Sequence, residues 1–317
     1  MTWRAPAVTF ATDQERDTAM KIAVYAAASA AVLAAIAAAQ PAAAQEAEIR
    51  NAVARVIVIP EDRADIGVEI TQGSADLPQL TIERRGDKVR IDGGLGRRRS
   101  MLQFSNDSIR ECNNGRADAR QPGEGATVEL AGKGRIRLGD APLIVLRTPR
   151  EVDVSSGSGV YGSIGRGARS VDLGAGGCGN WTVANVDGRL EIGVGGSGTV
   201  RAGTSRSLEA SVGGSGSIFA GATGDLEANV GGSGNIVVAN VNGPVDVSIG
   251  GSGDVSIRGG RASNLDVAVA GSGNVRFDGT AGSVDASIAG SGDVRIAEAT
   301  GPVSRSIVGS GEVRIGR

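Results

Sequence analysis

One pattern governs the second half of the chain: a Gly-x-Gly triplet that returns about every nineteen residues. Its central residues are Cys178, Ser197, Ser215, Ser233, Ser252, Ser272, Ser291 and Ser310, at steps of 19, 18, 18, 19, 20, 19 and 19. Around each centre the apolar residues stand at odd offsets. Seven places before it the chain has Val171, Leu190, Leu208, Leu226, Val245, Leu265, Val284 and Val303. Three places after it stand Trp181, Val200, Ile218, Ile236, Val255, Val275, Val294 and Val313. Alternation of period two marks strands with one buried face, and equal offsets from unit to unit mean that equivalent residues stack. Two strands this short cannot bury an apolar face alone, so the units must coil over one another at about 4.8 Å per rung. The expected fold is all-β: a right-handed parallel β-helix of about 19-residue coils with Gly-Ser-Gly corners. Its hand follows the rule for parallel crossovers.

Odd-in, even-out counting turns each serine outward and its flanking glycines inward, where a corner leaves no room for a Cβ. The corner glycines are Gly196, Gly198, Gly214, Gly216, Gly232 and Gly234, and then Gly251, Gly253, Gly271, Gly273, Gly290 and Gly292. The repeated serine also resembles a nucleophile. The chain has no His, however, and after a leader only Lys88 and Lys133 remain as amine bases, so acyl transfer lacks a proton acceptor. A calcium-binding repeat fails too, because Asp254 in G-G-S-G-D falls one place early and the repeat is about twice the required length.

Two outward columns carry chemistry. Six places before the centre stand Asp172, Glu191, Glu209, Glu227, Asp246, Asp266 and Asp285, a ladder of carboxylates that could hold cations or basic partners. The structural alternative is that stacked acids protect the sheet from lateral pairing. Two places after the centre stand Asn180, Thr199, Ser217, Asn235, Asp254, Asn274, Asp293 and Glu312, expected to stabilise by hydrogen bonds along the axis.

From Met20 the chain reads M-K-I-A-V-Y-A-A-A-S-A-A-V-L-A-A-I-A-A-A-Q-P-A-A-A, one Lys, an Ala-rich apolar core and small residues up to Ala44. This is the pattern of a cleaved secretory leader over residues 20–44, with residues 1–19 an upstream extension. The mature chain is then exported to periplasm, cell surface or medium, with no transmembrane segment after cleavage. Residues 45–150 are expected to form irregular β coils and a cap, and residues 151–317 the regular rungs. Within the first part, residues 54–59, 65–70, 80–91 and 143–146 read as strands, with a hairpin about Arg85-Gly86-Asp87 and a loop or cap over residues 93–126. In an oxidising compartment Cys112 and Cys178 can form a disulfide, the alternative being two buried thiols. Charge is nearly balanced at −2 and aromatics are 3%, so no basic stripe with stacking residues suggests nucleic acid. The run Arg97-Arg98-Arg99 reads as a solvated loop.

The leader, the early V-I-V-I strand block and the segment L-I-V-L-R-T-P ending at Pro149 come first, followed by V-D-V-S-S-G-S-G and then G-S-G units every nineteen or so residues. Together these resemble the GIN-domain proteins, a family of adhesin-type head domains. The resemblance spans about residues 50–317 and implies an exported bacterial β-helix that binds an envelope or extracellular polymer or protein. It supplies no catalytic residues and no cofactor. Cys178 departs from the family's central Ser, which favours its pairing with Cys112. A β-helix polysaccharide lyase or hydrolase is the enzymatic alternative, opposed by acids spread along a ladder instead of gathered in a cleft. The last unit has no visible cap, so edge-to-edge self-association is also expected.

Overall fold

The computed structural model describes residues 45–96, 108–115 and 121–316. The expected leader, the upstream extension and Arg97-Arg98-Arg99 lie outside the described residues.

The alternating pattern becomes two parallel sheets facing each other across one apolar column. From Glu151 onward nine successive strand pairs stack, each unit giving one strand to either sheet. Register follows the repeat: Val171 pairs with Leu190, Leu190 with Leu208, and Leu208 with Leu226. These residues are at most 3% exposed, and fully burying each such side chain contributes roughly 1.5–3 kcal/mol. The parallel β-solenoid expected from the spacing is therefore the fold. The step of 20 residues is taken up in the second turn, where Gly260 has φ +110° and the short strand Arg261–Ala262 pairs with the next rung.

Trp181 shows how the column admits a large residue. Other rungs place Val200 or Ile218 at this position, and the preceding rung makes room with Gly162, where a Cβ would lie 2.3 Å from the indole ring. The buried Trp181 Nε1 has no hydrogen-bond partner among the described residues.

The first part of the chain departs from simple coiling. Strand β1 (Glu46–Arg50) leads into β2 (Val53–Pro60), β3 (Gly67–Thr71), β4 (Thr81–Arg85) and β5 (Lys88–Asp92). Then come β6 (Ile109–Asn113), β7 (Thr127–Leu130), β8 (Gly134–Arg137) and β9 (Leu143–Thr148), before β10 (Glu151–Ser156) and β11 (Gly159–Ile164) open the regular rungs. β1 lies in parallel between β5 and β10, and β2 between β9 and β11. The first rung in sequence is thus the second in the stack. The hairpin strand β4 and the strand β3 close this end by antiparallel pairing on β5 and β9.

The remaining strands, β6, β7 and β8, form a small antiparallel sheet with its own core of Val128, Leu130 and Leu138, which also takes in Val53 and Tyr161. Within residues 93–126, where a loop or cap was expected, the described segment Ile109–Asn113 is a strand, β6, which joins β7 and β8 in a flap on the outer side of β11. Polar residues interrupt its short strands, so a period-two search passes over them.

Candidate functional site

The carboxylates Asp172, Glu191, Glu209, Glu227, Asp246, Asp266 and Asp285 pair strand to strand in unbroken register. The structure lengthens this ladder at its start, because Asp153 pairs with Asp172 and Glu46 with Asp153. Neither was visible in the repeat, since Asp153 precedes the first well-aligned unit and Glu46 reaches the stack only through the inserted rung. Like charges at this spacing repel by about 1 kcal/mol per neighbour in water. Cations relieve it locally: Arg189 bridges Glu191 at 2.8 Å and Glu209 at 2.7 Å, and Lys88 pairs with Glu46. Among the described residues no three acidic or Cys side chains converge into a metal-holding group.

Burial, then the charges of Asp172 and Glu46, pushes the Asp153 carboxyl up to about 6 against the pull of Lys88. Burial likewise raises Asp172, Glu191 and Asp246, with ladder neighbours adding to the effect. A folded pKa above the unfolded one means that the folded chain binds more protons, so stability present below about pH 4 is lost as pH rises through about 6. Asp62, Asp76 and Glu312, held low by hydrogen bonds from Arg150, Lys133 and Arg314, act in the opposite sense at lower pH. The urea midpoint is therefore expected to be higher at pH 5 than at pH 7.5. Asp153→Asn should flatten that slope and add about 1 kcal/mol at pH 7.5, allowing for solvent screening. A midpoint that rises with pH across this window would contradict the assignment.

The second polar column secures the corners. Asn180 Oδ1 accepts the backbone N–H of Thr199 at 2.9 Å, and Asn235 Oδ1 that of Asp254 at 3.1 Å. The series runs on from Asp254 to Asn274, Asn274 to Asp293 and Asp293 to Glu312. Each side chain satisfies a donor that the turn removes from the sheet ladder, a contribution of about 1 kcal/mol per bond. The neighbouring serines, such as Ser252, are exposed, while the glycine after each from Gly198 to Gly292 is buried. A Cβ on Gly253 would lie 1.9 Å from Gly234 O and 2.8 Å from Val230 Cγ1. At Gly290 a φ of +144° adds to the same crowding.

Cys112 and Cys178 are joined in a disulfide, Cα to Cα 6.1 Å, which fixes β6 of the flap to the first Gly-x-Gly corner. Cys178 is thus the one centre of the series used as an anchor. Tyr161, on the outer side of β11, donates its hydroxyl to Asn114 Oδ1 at 3.1 Å. Between the flap and the sheet lies a cavity of about 220 Å³. Its sheet side carries Ser163, Thr182 and Arg201, which share one column through successive register pairs. Asn180 and Thr199 of the polar column border it. Thr182 and Arg201 stand four places after their centres and could have been found by writing out that column. The flap that turns a flat face into a cleft could not.

Among curated proteins no sequence matches this chain. Solved structures of similar shape include a "putative adhesin" from Parabacteroides distasonis, 16% identical with TM-score 0.44, covering 86% of this chain and 92% of that one. A "putative adhesin" from Bacteroides fragilis is 12% identical with TM-score 0.35, covering 86% and 91%. A "Putative lipid binding protein" from Parabacteroides distasonis is 17% identical with TM-score 0.35, covering 86% and 93%. The GIN-domain resemblance carried by the repeated G-S-G units is borne out over residues 220–316, which match the family model described as "Putative auto-transporter adhesin, head GIN domain".

Proposed function

We propose that the chain is an exported, non-enzymatic binding module of the bacterial envelope, which holds an extended polymer or protein against its outer faces. One observation carries this reading. The outward columns repeat a single chemistry at a fixed rung spacing, with nine carboxylates in register from Glu46 to Asp285. Repetition suits many weak contacts to a long partner, whose strengths multiply when engaged together. Polysaccharide cleavage calls instead for two carboxylates in two different environments at one bond. The GIN-domain match over residues 220–316 supports an adhesin-type role. Purified chain from Gln45 onward should be retained by immobilised envelope polymers without releasing reducing ends or unsaturated sugars. Release of either product would overturn the reading in favour of an enzyme.

A further inference from the structure

The cleft beneath the flap differs from the flat faces around it. Arg201 stands at its edge with the guanidinium 4.7 Å from the centroid of the Phe219 ring. Stacking of this kind fixes the plane of the fork and lowers the entropy lost when it binds a planar anion. Among the described residues no carboxylate forms an ion pair with Arg201 or with Arg295 of the same column, whereas Arg276 and Arg314 are paired with Asp278 and Glu312. On the sheet side the groups around Arg201 are neutral and polar. Ser163 and Thr182 offer hydroxyls from neighbouring rungs. Asn180, whose Oδ1 is occupied by the Thr199 N–H, has its amide NH₂ left to donate. On the flap side stand Gln121 and one carboxylate, Glu124.

Among the described residues this is one cation beside a set of hydroxyl and amide groups, in a volume of about 220 Å³. We propose that the cleft binds one carboxylated sugar residue of an acidic glycan. Arg201 takes the carboxylate as a bidentate fork. The hydroxyls of Ser163 and Thr182 and the amides of Asn180 and Gln121 meet the ring hydroxyls. A neutral sugar would leave Arg201 without its counter-ion. The disulfide between Cys112 and Cys178 holds the flap side in place, so the groups are positioned before the ligand arrives. This inference rests on the binding-module reading and names a ligand class for it.

The test is titration calorimetry of the chain from Gln45 onward with three acidic probes: a galacturonate trimer, a glucuronate-containing trimer and a sialylated trisaccharide. Carboxyl-reduced trimers serve as neutral controls. At least one acidic probe should bind, with its neutral counterpart at least tenfold weaker. Arg201→Gln should lose tenfold or more, Thr182→Val a smaller factor, and Arg276→Gln, outside the cleft, nothing. Equal binding by wild type and Arg201→Gln, or no binding of any acidic probe, overturns the proposed site. If the wild type still captures envelope polymers in that case, the binding-module reading stands and only the cleft assignment falls.

Discussion

Gly253→Ala is expected to lower stability by about 3 kcal/mol or more, a large effect for the addition of one methyl group. The added Cβ would meet Gly234 O at 1.9 Å, a backbone atom that cannot rotate away. Relief requires the two rungs to separate, which weakens the hydrogen bonds that Ser252 N and Gly253 N make to Gly232 O. Because each rung contacts only its neighbours, the damage should propagate as partial loss of the stack on the far side of the corner. Ser252→Ala, one residue away and exposed, should stay within about 0.5 kcal/mol. Urea denaturation of the pair checks the contrast. Similar midpoints for both variants would mean that the corner backbone relaxes and that the glycine is not required by space. A catalytic serine would show the reverse pattern, with activity lost in Ser252→Ala and stability intact.

Breaking the Cys112–Cys178 disulfide is the second large effect. The bond closes a loop of 66 residues, and the chain-entropy account assigns about 4 kcal/mol to a closure of that length, with 2–4 kcal/mol usual in practice. Cys112→Ser combined with Cys178→Ser, or reduction of the wild type, should therefore lower the denaturation midpoint by a corresponding amount. The loss should also be local. Amide exchange is expected to accelerate in β6 and β7, whose antiparallel sheet rests on a small separate core. Rungs beyond Ser197, far from the bond, should keep their protection. Uniform acceleration along the whole solenoid would show instead that the flap holds the stack together. The double variant also bears on the cleft, since a flap released from its corner no longer holds Gln121 at the cavity that Thr182 and Arg201 line from the sheet.

The parity of the repeat explains why so much of the solenoid could be read in advance. A column such as Val171, Leu190, Leu208 and Leu226 keeps one offset through steps of 19, 18 and 18, and the strand registers reproduce it. Changes in step length fall in the turns, so they do not disturb which side chains stack. In the polar column Asn180, Asn235, Asp254, Asn274 and Asp293 accept the next rung's N–H as expected, whereas at Thr199 and Ser217 the carbonyls of Gly198 and Gly216 take that donor. Residues 45–150 carry no such internal copy. Strands at residues 54–59, 80–91 and 143–146 were legible from alternation, but β1, β6, β7 and β8 were not. Glu46–Arg50 alternates for only five residues, and the strands of the flap are short and rich in charge.

A one-dimensional pattern that repeats within the chain determined the parallel solenoid, its register, its inner and outer faces and the glycine corners, since every unit specifies its neighbour by being its copy. Tertiary structure alone decided the rest. β1 pairs in parallel with β5 and β10, two strands that share no repeat with it, and so the first rung sits inside the stack and extends the acidic ladder to Glu46. The flap, fixed by one disulfide, converts a flat face at Ser163, Thr182 and Arg201 into a cleft. Partners far apart in sequence are chosen by which apolar faces and strand edges remain uncovered, and that is a property of the assembled stack.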